Sequence, residues 1–187
     1  MTYSFKKGGH NDLHRIFPML EFEFRDYERM GELRLHQAIL RGSAELLLLR
    51  DEADVENGFI ITYCESIYGY VLAAYMLVYP TFRGEGASHA CLDLLKERYA
   101  DTQGVFLEVS DDPEMAKAVV LHDYYAREGW QDVDAGYRAG GEPGILMHLP
   151  VNGPEEMPVP VAKRIVTEIY SHVVPEKDVG DYISFDK

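Results

Sequence analysis

The chain has 187 residues, 47% of them hydrophobic and 27% charged, which suits one soluble globular domain with a sizeable core. Its formal net charge of −14 disfavours a surface that tracks nucleic acid, which needs clustered Lys and Arg; acidity is compatible with cationic amine substrates, although solubility alone accounts for it. No apolar stretch follows Lys6 and Lys7 and no segment is long enough to cross a bilayer, so a cytoplasmic protein without signal peptide or membrane contact is expected.

In chain order, residues 13–40 carry Phe17, Leu20, Phe24, Tyr27, Met30, Leu33, Leu35 and Ile39 at mostly helical spacings, which predicts one or two helices. Two apolar runs, 45–50 and 58–64, flank an acidic stretch and read as a hairpin. Residues 71–78 are almost wholly apolar, as in a strand buried on both faces, and Pro80, which has no N–H to donate, marks where pairing stops. Arg83, Gly84, Glu85 and Gly86 come next. From Ser88 to Ala100 the positions Cys91, Leu92, Leu94, Leu95 and Tyr99 recur at helical spacing, and after Gly104 the run VFLEVS reads as another strand. The loop with Asp111, Asp112 and Pro113 introduces a further helical region, which ends at Gly129. Strands are expected around 131–138 and 145–149, then a helix over about 158–174 opened by Pro158 and Pro160, then a mostly polar tail. The sum is a single α/β (α+β) domain over 1–187, its core at about 45–150: a three-layer arrangement of a mixed central sheet with helices on both faces and an extra C-terminal helix.

The turn at 83–88 has chemistry of its own. Gly84 and Gly86 let the backbone turn sharply, and the N–H groups at a helix start then point outward, unpaired. Those amides, the positive end of the helix dipole and the Arg83 guanidinium all favour an anionic group such as a phosphate. Cys64 and Cys91 read as reduced core thiols, and His89 lies two positions from Cys91, which places them on different helix faces. The seven histidines show no ligand spacing, so no metal is expected. Tyr63, Tyr68, Tyr70, Tyr75 and Tyr79 could surround an ammonium, but large side chains on a sheet are the preferred reading.

These residues carry a resemblance. Arg83, Gly84, Glu85, Gly86 and Ala87 resemble the acetyl-CoA-binding motif of the GNAT superfamily of N-acyltransferases (Arg or Gln, two residues, Gly, one residue, Gly or Ala), with Ser88 in the last place as the one departure. The segment HDYYAREGWQDV resembles the second signature of that superfamily, with Tyr124, Tyr125, Gly129 and Trp130 in register; the likeness spans about 45–150. It implies two central strands that splay around the pantetheine arm of acetyl-CoA, main-chain pairing from Leu77 and Val78, and a pyrophosphate held by Arg83, Gly84, Glu85, Gly86, Ala87 and Ser88. It also implies a Tyr125 hydroxyl near the CoA sulfur as general acid, against the alternative of a core tyrosine; Tyr124 lies about 100° away around the helix and reads as packing. For a general base, Glu108 and, behind it, Glu65 border the cleft by chain order, while water-mediated deprotonation would need neither. The expected function is acetyl transfer from acetyl-CoA to a primary amine, foremost of a small molecule, by direct attack. The alternative is a non-catalytic acyl-CoA-binding sensor or interaction domain. A homodimer is common among proteins resembling this superfamily.

Overall fold

A computed structural model describes residues 2–64, 67–112 and 116–186. Its elements are β1 (Tyr3–Lys7), α1 (His10–Glu23), α2 (Glu32–Arg41), β2 (Ala44–Asp51), β3 (Glu56–Tyr63), β4 (Tyr70–Val78), α3 (Ala87–Arg98), β5 (Gly104–Ser110), α4 (Ala116–Arg127), β6 (Gln131–Val133), β7 (Tyr137–Ala139), β8 (Glu142–Pro150), α5 (Val159–Val173), α6 (Val179–Tyr182) and β9 (Ile183–Phe185). The four consecutive leucines Leu46 to Leu49 in β2 are each at most 1% exposed, as a strand covered on both faces requires. Alternation then sorts the side chains. Leu46, Leu48, Phe59, Ile61 and Phe106 face α1, α2 and α5, while Leu47, Leu49, Ile60, Val105 and Leu107 face α3 and the Tyr125 side of α4.

The strands run in the order β1-β2-β3-β4-β5-β8-β7-β9, with β6 also on β8. Among the described residues only the central pair, β4 with β5, is parallel, because α3 forms the crossover between them. Their pairing extends from Tyr70 opposite Gly104 to Ala73 opposite Leu107 and ends there. At that level the register of β3 on β4 steps from Ile61–Tyr75 to Thr62–Ala73, leaving Ala74 as the extra residue of a bulge, which bends its strand. Above the bulge β4 follows β3 to Val78, while β5 follows β8 to Ser110, so the two central strands part.

The structure adds detail at the ends of the chain. The stretch 13–40 resolves into α1 and α2, with Phe24, Tyr27 and Met30 in the segment that joins them. Residues Tyr3–Lys7 add an unforeseen edge strand on β2. The expected strand at 131–138 divides into β6 and β7, and the polar tail contains β9, whose Phe185, Ser184 and Ile183 pair with Tyr137, Arg138 and Ala139 of β7.

Candidate active site

β4 leads through a 3-10 turn, Pro80–Phe82, into Arg83 and then into Gly84 and Gly86, whose φ values of 86° and 83° lie in the left-handed region that a side chain resists. Gly86 is the N-cap of α3, and Ala90 N–H makes the 3.0 Å bond to its carbonyl. The amides of Ala87 and Ser88, ahead of that bond, belong to the open end of the helix. Glu85 is exposed beside them. Arg83 is anchored rather than extended: its Nε donates to the Val78 carbonyl at 3.1 Å, and its guanidinium donates to Glu23 at 2.6 Å. Lys117 of α4 also donates to Glu23 at 2.6 Å. Burial alone would raise the Glu23 carboxyl, but the hydrogen bonds from Lys117 and Arg83 outweigh it and hold the group below its ordinary range.

Where β4 and β5 part lies a cavity of about 650 Å³. Leu77 and Val78 line one wall, Leu107 and Glu108 the other, Ser88, Leu92 and Tyr125 one mouth, and Phe24, Tyr27 and Tyr137 the opposite mouth. The cavity thus reaches both faces of the sheet. Tyr125 is 9% exposed, with Tyr124 at 5.5 Å and the Trp130 indole edge-on at 6.1 Å between ring centroids. Burial, helped by Cys91 and Tyr124, pushes its hydroxyl well above the ordinary range, so at neutral pH it is a phenol able to donate. Tyr124 packs against the same cluster. Cys91 is buried among leucines, and burial pushes its thiol up to about 12, so it is a core residue. Tyr63 and Tyr75 likewise belong to the core of the sheet.

Glu108 comes to the cavity from the other face. Its carboxylate accepts from the Tyr137 hydroxyl at 2.6 Å (Oε1) and from the Tyr170 hydroxyl at 3.1 and 3.0 Å (Oε1 and Oε2). Burial pushes the group up to about 7, against the lowering effect of the two tyrosines, so near neutral pH it can both hold and release a proton. Glu65 lies outside the described residues. Tyr137 and Tyr170 were absent from the sequence reading: they lie 29 and 62 positions from Glu108, and only the fold brings them to it. Their sequence signal was confined to a tyrosine opening a short strand and another on the buried face of α5. Among the described residues no group of three or more His, Cys, Asp or Glu side chains could hold a metal ion, and no helix is long and apolar enough to cross a membrane.

No family model matches the sequence, and no curated protein matches it. Solved structures do. A chain described as an acetyltransferase of the GNAT family from Bacteroides thetaiotaomicron superposes with a TM-score of 0.70 at 17% identity, over 91% of this chain and 97% of that one. The chain has the GNAT fold. A variant of the spermidine N-acetyltransferase SpeG from Vibrio cholerae shares it with a TM-score of 0.60 at 14% identity, over 80% of this chain and 94% of that one. NAA60 of Arabidopsis thaliana in complex with acetyl-CoA gives 0.60 at 17% identity, over 81% and 100%. Parted central strands, a bulge on β4 and a glycine turn ahead of α3 are the features by which the GNAT fold positions the cavity here.

Proposed function

We propose that the chain is an N-acetyltransferase that moves acetyl from acetyl-CoA to a primary amine of a small molecule by direct attack. The observation that carries this reading is a single cavity passing between β4 and β5, with a protonated phenol at one mouth and a carboxyl that titrates near neutrality at the other. The GNAT fold supports it, as do acetyl-CoA bound to the Arabidopsis neighbour and an amine named as substrate of the Vibrio neighbour.

In this reading the amides of Gly84 to Ser88 and the Arg83 guanidinium hold the pyrophosphate, and the main chain of Leu77 and Val78 pairs with the pantetheine. That places the thioester between the parted strands. The amine approaches from the α1–α2 side, where ionised Glu108 takes its proton directly or through water, because a protonated amine has no lone pair with which to attack. The nitrogen forms a bond to the carbonyl carbon and gives up its second proton to water in the cavity, the carbon–sulfur bond breaks, and the sulfur takes a proton from the Tyr125 hydroxyl, which solvent later restores. A reaction needing ionised Glu108 gains rate as pH rises through about 7. The test is CoA release with a panel of primary amines: steady acetyl-CoA binding without turnover on any of them would replace this reading by a non-catalytic acyl-CoA-binding domain.

A further inference from the structure

We infer that Tyr170 and Tyr137 are positioning residues for Glu108, two hydroxyls that aim its carboxylate at the cavity and set the pH at which it takes up the amine proton. The inference rests on the acetyltransferase reading, in which Glu108 is the base.

Each hydroxyl is held by structure of its own. Tyr170 lies on the buried face of α5 with Ile165, Val166, Ile169 and Val173. Its ring stands edge-on to Tyr63, 5.5 Å between centroids and 86° between planes. Tyr63 donates to Tyr75 at 3.3 Å, and the Tyr75 oxygen accepts the Met30 N–H at 2.8 Å, so the support reaches the segment between α1 and α2. Tyr137 opens β7, which β9 pins by pairing Phe185 opposite it, and the two rings meet at 5.8 Å. Each hydroxyl therefore depends in part on residues beyond 158, α5 for Tyr170 and β9 for Tyr137, outside the stretch that resembles a known family.

The chemistry of the contact has a direction. An ionised carboxylate only accepts, so both tyrosines can donate to it at once. When Glu108 takes a proton, it becomes partly a donor, and one of the two bonds must turn or weaken. The pair thus favours the ionised form. Little else does. The groups facing Glu108 are Tyr137 from β7, Tyr170 from α5, Tyr75 from β4 and Tyr63 from β3, all kept neutral by burial. Arg25 and Glu28 line the same cavity from the α1–α2 segment, but Arg25 is engaged with Tyr27 and Asp112. Among the described residues no Lys, Arg or His forms an ion pair with Glu108.

Tyr170→Phe and Tyr137→Phe keep each ring and remove one donor. The expected result is that the acidic limb of the kcat/KM–pH profile moves upward by about one pH unit in each variant, since one hydrogen bond to a charged group is at stake. Activity recovers above the limb, and KM for acetyl-CoA stays within about twofold. A merely structural role would lower the whole profile without moving its limb. The same variants are titrated by NMR with 13C-labelled glutamate, Glu108 being assigned from its loss in Glu108→Gln; its midpoint moves up with the rate limb. An unmoved midpoint in both variants overturns the assignment of the tyrosines, whatever the activity. A moved midpoint beside an unmoved rate limb overturns Glu108 as the base, and this inference with it.

Discussion

Two titratable groups, one partly and one fully buried, give the molecule opposite responses to pH. Glu108 has a folded value of about 7 against an ordinary 4.5, so the unfolded chain releases that proton first, and stability falls as pH rises from about 4.5 to about 7. The 2.5-unit gap amounts to at most about 3 kcal/mol. Glu108→Gln should therefore raise the melting temperature at pH 8 while lowering turnover about 100-fold or more, a pairing read by thermal melts beside CoA release. His148 behaves the other way. It is fully buried against Phe106 and Tyr70, with no hydrogen bond to either ring nitrogen among the described residues, and burial pulls it down to about 4. Unfolding lets it charge, so stability is lost as pH falls from about 6.5 to about 4, and His148→Leu should flatten that part of a plot of melting temperature against pH. At the reaction centre, Tyr125→Phe should lower turnover about 10- to 100-fold with acetyl-CoA affinity nearly unchanged; equal turnover would remove it from the role of acid.

At the scale of elements, the turn before α3 was the most legible part of the chain, because its requirements are local. A left-handed backbone selects glycine, and Gly84 and Gly86 both adopt it. Gly86→Ala places a Cβ in that region at a cost of about 1 kcal/mol and disturbs the helix end, so acetyl-CoA should bind more weakly by calorimetry while Tyr137 of β7 and Tyr170 of α5 are untouched. The long apolar strands and both central helices were readable for the same local reason: length and period sufficed. The edge elements were not. β1 carries two lysines in five residues and β9 has only three residues, so neither satisfies a pattern until a partner strand supplies the hydrogen bonds. The candidate site divides the same way. Arg83 to Ser88 and Tyr125 stood out by motif, whereas Tyr137 and Tyr170 act on Glu108 through contacts that span dozens of residues. The Glu23 carboxylate that joins Arg83 to Lys117 was equally hidden, since it links the end of α1 to the turn and to α4. Because Glu23 competes for the Arg83 guanidinium, Glu23→Gln should tighten acetyl-CoA binding a few-fold, measured at low and at high salt.

At the scale of the whole molecule, the sheet would separate two approaches to the proposed reaction. The α3 side offers the glycine turn and Tyr125, the α1–α2 side offers Glu108, and they meet only through the parting of β4 and β5. In the proposed reaction both substrates would then be present together, Cys91 being too deeply buried to carry an acyl group between them. Steady-state kinetics should give intersecting rather than parallel reciprocal plots, and Cys91→Ala should retain turnover. The early end of the β4–β5 pairing has a further consequence. From Ala74 to Val78 the edge of β4 that would have met β5 is paired by no strand among the described residues, so the sheet carries a seam of backbone donors and acceptors in its middle. A pantetheine arm laid along that seam would act as a surrogate strand. Acetyl-CoA would then be a structural component as much as a reactant, and the rise in melting temperature it causes, which grows with the logarithm of its concentration, would measure how completely the sheet has been closed.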